Sequence, residues 1–264
     1  MRFGFDLERL ICEFDLNKDM DLYICEYCGK EFQDFPSRKR RFCSPSCNMK
    51  DRNRRNPELR FVAKTKKHFK ITNECINYID GILLSDACVK NPRTKSRWAT
   101  RLTQAFSQRF REWAEQIKDN LAFFGIEARL TPYSVFDKRT NKTYHGISLQ
   151  TKMYPEFMQF RKRWYPNNKK EVPTDIQLTP IVLTNWFLGD GSRPHGCIQL
   201  STENFNDKSI DLLKQKLLDF GLDFHIGKTR RLMLYKENQT KRFLSLLGNQ
   251  VPSCFDYKLG IGGD

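Results

Sequence analysis

The sequence predicts an α+β protein in which one antiparallel-sheet unit occurs twice, behind a small cysteine-clamped module. Three observations predict it. Two apolar runs of matching character close on an aspartate 104 positions apart, at Asp86 and Asp190. After each run the same patterns follow in order: strand alternation, a helical period closing on a glycine, more alternation and a short helix. Ahead of both runs lie four cysteines spaced C-x2-C-x14-C-x3-C.

Length and charge bound the rest. A chain of 264 residues holds one sizeable core or two half-sized ones, plus a small appendage. The formal net charge of +15 favours a polyanionic partner, most simply nucleic acid. An anionic membrane is the competing partner, but no stretch reaches transmembrane length and no basic amphipathic helix dominates. The first residues lack the apolar core of a signal peptide, which predicts an intracellular protein that is not secreted. Nine cysteines, an odd and scattered set, fit a reducing compartment with a metal site better than a disulfide framework.

Residues 1–22 are mixed, with a short amphipathic helix expected around Leu7 to Phe14. The four-cysteine motif comes next, made by Cys25, Cys28, Cys43 and Cys47. Two close thiolate pairs separated by a loop give the four-sulfur tetrahedron that Zn²⁺ prefers, and four protein ligands make that one zinc structural. So short a segment cannot bury a core, so a metal staple is physically necessary. Gly29 suits the tight turn that aims amides at sulfur. Between the pairs lies Arg38-Lys39-Arg40-Arg41; from Arg38 to Lys70 there are thirteen Lys or Arg against two acids. Beside such a module, phosphate binding is the expected use of that charge. The organisation expected is an arm and zinc finger over 1–50, a basic linker over 51–70, and two repeats over 71–178 and 179–264.

In the first repeat, Trp98, Leu102 and Phe106 alternate with Arg97, Arg101 and Thr103. Phe110, Trp113, Ile117, Leu121 and Phe124 then recur at helical spacing up to Gly125, a helix-closing signal. Ile126–Thr131 and Tyr144–Thr151 alternate as strands, and 155–164 reads as a short helix. In the second repeat, 195–202 alternates and Asp207–Phe220 is a helix closing at Gly221. Strands over 222–228 and 230–236 and a helix over 240–247 follow. Phe123-Phe124-Gly125-Ile126-Glu127 and Asp219-Phe220-Gly221-Leu222-Asp223 correspond closely.

The two acids carry the chemistry. A helix C-terminus bears partial negative charge, so an aspartate there sits at the wrong pole unless a cation neutralises it. Two such acids on paired helices suggest a shared cation site. At these residues the chain resembles the LAGLIDADG homing endonucleases of the single-chain, two-motif, intron-encoded kind. Leu183 to Gly191 keeps the leading leucine and the closing Gly-Asp-Gly; Ile79 to Ala87 keeps Gly81, Ser85 and Asp86. Asp80 and Thr184 replace an alanine, Leu84 and Leu188 replace an inner aspartate, and Asn185 replaces a helix-contact glycine, which predicts a looser helix approach there.

The resemblance covers residues 71 to about 260 and leaves the zinc segment outside. It implies two pseudo-symmetric αββαββα repeats whose antiparallel sheets form a saddle over DNA. It implies Mg²⁺, more than one ion, on Asp86 and Asp190 with the carbonyls of Ser85 and Gly189. It also implies Lys170 and Lys258 in the active site, polarising water or stabilising the transition state. The polar alternates Arg97, Arg101, Thr103, Arg129, Ser148, Gln150, Gln199, Ser201, His225, Arg231 and Tyr235 become the DNA-reading face, because β-ribbons fit the major groove. The implied function is site-specific double-strand cleavage of a long asymmetric DNA site by a monomer. An intron RNA maturase or a non-cleaving DNA-binding protein of the same fold is the alternative. A zinc-dependent nuclease centred on the cysteines ranks last, since the four histidines form no nuclease arrangement.

Overall fold

The computed structural model describes residues 20–55, 68–91, 99–247 and 251–260; the helix expected over Leu7–Phe14, and Arg97, lie outside them. The chain divides into two compact units, Met1–Phe61 and Val62–Asp264. In the first, β1 (Asp21–Ile24) and β2 (Glu31–Asp34) pair antiparallel. Their connection holds Gly29 at φ +69°, the left-handed region that only glycine enters without strain. Helix α1 (Pro45–Arg55) starts where Ser44 Oγ accepts from the Cys47 amide at 3.1 Å. It runs through the boundary expected at residue 51. Asp51 is buried and ion-paired to Arg54 and Arg55 one turn on, so 51–55 continue the helix instead of opening a linker.

The second unit gives the αββαββα order twice. The first set is α2 (Asn73–Leu84), β3 (Cys88–Val89), β4 (Leu102–Ser107), α3 (Arg111–Phe123), β5 (Ala128–Asp137), β6 (Lys142–Thr151) and α4 (Phe157–Trp164). The second is α5 (Pro180–Asp190), β7 (Gly191–Ser192), β8 (Ile198–Leu200), α6 (Asp207–Asp219), β9 (His225–Ile226), β10 (Leu232–Leu234) and α7 (Glu237–Leu246), with a short α8 (Asp256–Leu259) after it. Each set forms a four-stranded antiparallel sheet, in the orders β3-β4-β6-β5 and β7-β8-β10-β9, which match strand for strand. Gly125 (φ +78°) and Gly221 (φ +71°) close α3 and α6. Trp113, Ala114, Ile117 and Leu121 are the buried face of α3, and Ile210, Leu213 and Leu217 that of α6.

Helices α2 and α5 pack side by side in the middle of this unit. Thr72 caps α2 by accepting from the Cys75 amide at 3.2 Å, and Pro180 opens α5, where its missing N–H costs nothing. Both helices are apolar on nearly every side, the mark of an interior helix, and Val182 to Leu188 are all buried. The seam is close throughout. A Cβ on Gly81 would lie 2.9 Å from Asn185 Cβ, and one on Gly189 would lie 2.3 Å from Ser85 Cβ. The looser approach expected at Asn185 is therefore absent, because the residue facing it is Gly81: bulk on one helix meets its lack on the other.

Asp80, which departs from the motif, is buried and held by Arg163, whose Nη1 and Nη2 each donate at 3.0 Å, and by Trp164 Nε1 at 2.8 Å. Burial raises its carboxyl, against the opposing pull of Arg163 and Trp164; the three hydrogen bonds satisfy both of its oxygens. Arg163→Met leaves that charge unpaired in the core and is expected to cost about 3–5 kcal/mol in urea unfolding. Adding Asp80→Leu should recover most of the loss, and no recovery would mean that packing, not charge, is what Arg163 supplies.

The strands differ from expectation in opposite directions. β5 and β6 are ten residues each, longer than predicted, because their outer halves are exposed on both faces and show no apolar alternation. In the second repeat His195 (φ +50°) and Arg230 (φ +64°) sit in turns, which cuts β8 and β10 to three residues.

Candidate functional site

The two apolar runs end at one place. Asp86 follows the end of α2, Asp190 is the last residue of α5, and both line a cavity of about 360 Å³ together with Ser85, Lys170, Glu203 and Phe205. Burial pushes the Asp190 carboxyl up to about 7, the Asp86 charge adds to the rise, and Lys170 and Lys258 oppose it. Burial also raises Asp86 against the same two lysines. Each acid feels both lysines, so four charges share one site.

The lysines sit where the helix poles need them. Lys170 Nζ donates to the carbonyls of Ser85 at 2.8 Å and Ala87 at 3.1 Å. Lys258 Nζ donates to Phe187 at 3.1 Å and Leu188 at 2.7 Å. Each ammonium thus caps the C-terminus of one motif helix and offsets the negative pole on which an aspartate also sits. Burial brings both lysines down to about 8, while Asp190 works against the fall. Two of the three N–H donors of each are spent on carbonyls, so neither is an unattached cation beside the acids.

The sheets bring most of the polar alternates to one face. Register sets Thr103 opposite Gln150 and Gln150 opposite Arg129, with Ser148 in the next row. Gln150 accepts from Arg101 Nη1 at 3.5 Å and donates to Ser148 Oγ at 3.3 Å. Thr103 is buried, its hydroxyl 3.3 Å from Cys88 Sγ, so it is a packed member of that face and not an open reader. In the second sheet Gln199, Met233 and His225 share a row; Ser201, Arg231 and Tyr235 have the same strand parity. Arg231 is spent on Glu203, at 2.8 Å from Nε and 2.7 Å from Nη2. The polar faces adjoin the cavity, since Cys88 and Ser201 line it. Glu203 and Cys88 escaped sequence reading: an acid just beyond a three-residue strand reads like any loop acid, and a cysteine gives no periodic signal.

In the first unit Cys25, Cys28, Cys43 and Cys47 hold their sulfurs all within 4.8 Å of one another. The separations of 3.5 Å (Cys43–Cys47) and 3.6 Å (Cys28–Cys43) lie close to the roughly 3.8 Å edge of a Zn–S₄ tetrahedron. Burial acts to raise the Cys25 thiol, but the backbone amides of Cys28, Cys43 and Tyr27 bring it down to about 6. The arrangement could hold a metal. Of the basic run beside it, Arg38 and Arg40 pair with the buried Asp34 and Arg41 with Glu26, so three of these four cations are built into the module. Lys39 is exposed, at φ +46°.

Among the described residues no helix is long and apolar enough to cross a membrane. Residues 76–243 match the model of the LAGLIDADG DNA endonuclease family, a span that opens in α2, closes in α7 and takes in both acids and both sheets. The uncharacterized protein MJ1098 of Methanocaldococcus jannaschii is 32% identical over 198 residues, 72% of this chain and 74% of that protein. Over 85 residues, 31% of each chain, the identity to cytochrome b mRNA maturase bI2 of Debaryomyces hansenii is 32%. A solved structure of the homing endonuclease I-WcaI bound to its DNA recognition sequence superposes with a TM-score of 0.61 at 18% identity, over 71% of this chain and 86% of that one. The match to the family model runs across both repeats, where two helices deliver two aspartates to one cavity, and the chain accordingly belongs to the LAGLIDADG DNA endonuclease family.

Proposed function

We propose that this chain is a site-specific endonuclease that hydrolyses both strands of duplex DNA, each repeat addressing one strand. One observation carries the reading: aspartates from two repeats line a single cavity at the ends of paired helices, beside the polar faces of two sheets. The donor set fits a hard divalent cation. Two buried carboxylates, the Asp86 charge adding to the rise of Asp190, offer oxygen ligands to such an ion. Asp86 and Asp190 would hold the ions, helped by the Gly189 carbonyl and by the Ser85 carbonyl, which also accepts from Lys170.

Bound Mg²⁺ would activate a water and offset the charge that develops at phosphorus. The protein supplies the rest. Lys170 and Lys258 fix the helix ends that carry the acids, and the remaining N–H of each is a donor for phosphate oxygen. Arg101, Arg129, Ser148, Gln150, Gln199, Ser201, His225 and Tyr235 would face the bases or backbone. Selection of cleaved sites from a plasmid library tests this, with Mg²⁺ compared against Ca²⁺. Linear product with discrete ends in Mg²⁺ alone is expected; absence of any selected site in either cation would sink the reading. The maturase likeness favours one other possibility, binding of structured intron RNA, which the same preparation tests by RNA retention without cleavage.

The four-cysteine cluster is read as one structural Zn²⁺ per chain. Chelation, or Cys25→Ser, should release the metal and unfold residues 20–55 while the melting of the repeats stays in place. Metal analysis beside thermal scans of the full chain checks this, and a zinc-free preparation with the first unit intact would refute it.

A further inference from the structure

The two repeats share one topology but not one reach. β5 and β6 run ten residues each, whereas β9 and β10 run two and three. At about 3.3 Å per residue the first hairpin spans about 33 Å, the length of about ten base pairs, and β10 only about 10 Å, about three. The outer half of the long hairpin leaves the core. Tyr133, Val135 and Tyr144 are exposed on the face that carries Arg129, Ser148 and Gln150, and register pairs Tyr133 with Gly146 and Val135 with Tyr144. The Tyr133 ring lies across Gly146, where even a Cβ would come within 2.5 Å of it. A glycine opposite a tyrosine lets that ring lie along the ribbon.

We propose that the chain reads unequal lengths of duplex on its two sides, and that residues 132–145 form a distal DNA contact of the first repeat with no counterpart in the second. This rests on the DNA-binding reading above. Three observations choose DNA over a protein partner for this exposed apolar patch. It continues the polar row that adjoins the cavity. Its tip is basic, with Lys138, Arg139 and Lys142 exposed, and its one acid, Asp137, accepts from the Arg139 amide at 2.9 Å and Thr140 Oγ1 at 3.0 Å and lies 3.9 Å from the Arg139 guanidinium. A two-stranded ribbon also has the width of the major groove, where Val and aromatic side chains contact thymine methyls.

The test captures duplexes from a random library in Ca²⁺ and sequences them, for the full chain and for a variant in which Asn-Gly replaces residues 134–145. In the wild type, positions with base preference on one flank of the cavity-centred site should outnumber those on the other by about three to one, following the strand lengths. The shortened variant should lose preference at the outer positions of that flank alone. Equal flanks, or an unchanged profile in the shortened chain, would overturn the inference. Capture of no duplex at all would bring down the DNA reading itself, a different result. If the shortened chain fails to fold, Val135→Ser with Tyr144→Ser tests the same positions on an intact hairpin, and an unaltered outer flank there counts equally against the proposal.

Discussion

Asp190→Asn is expected to bind duplex DNA within a few-fold of wild type and to cut both strands on the order of a thousandfold more slowly. The same change should make the metal-free protein more stable. An aspartate at 3.8 in the unfolded chain that rises to about 7 on folding binds its proton more tightly in the native state. Stability therefore falls as pH rises from about 4 to 7 and stays low above it; the gap corresponds to at most roughly 4 kcal/mol. An amide at this position carries no charge to bury, so the variant should melt higher than wild type at pH 8 and alike at pH 4. Added Mg²⁺ or Ca²⁺ should raise the wild-type melting temperature at pH 8, and the effect should fade as pH drops below 7 and protons compete for the same oxygens. Thermal scans over pH with and without cation check this. Equal cation effects at pH 5 and pH 8 would show that the ions bind elsewhere.

Gly189→Val should be the most disruptive single change in the helix seam. Its first side-chain carbon alone would lie 2.3 Å from Ser85 Cβ, 2.5 Å from Ser85 Oγ and 3.3 Å from the Trp113 ring. No rotamer relieves a contact made by Cβ, so the helices must separate, at a cost of about 3 kcal/mol or more. Separation also parts the two aspartates, so cleavage should fall along with stability. The milder Gly189→Ala should regain most of both when paired with Ser85→Gly, which returns the lost space from the facing helix. Failure of the pair to recover in urea unfolding would mean that Ser85 matters for its hydroxyl bond to the Ile82 carbonyl more than for its size.

Much of the candidate site was legible in residue types and spacing. Asp86 and Asp190 betray themselves by ending apolar runs at an unfavourable helix pole, and the four cysteines by their pairing. Helix closures at Gly125 and Gly221 were readable because a left-handed residue leaves few alternatives to glycine. The lysines were legible as residues but not in what they hold, since nothing local tells that Lys170 and Lys258 reach helix ends 85 and 70 positions away. The outer hairpin was hidden because strand periodicity records burial on one face, and residues 132–145 have little buried on either.

The sequence by itself determined the repeated helix and strand patterns, the acids and the cysteine module, because period, caps and ligand spacing are local properties of a chain; the αββαββα order was what the resemblance implied. Tertiary structure alone decided which small residue faces which large one across the seam, that Arg231 serves Glu203, and that one hairpin outreaches the other. Those depend on pairing and register between segments far apart in the chain, where a shift of one residue turns every side chain to the opposite face.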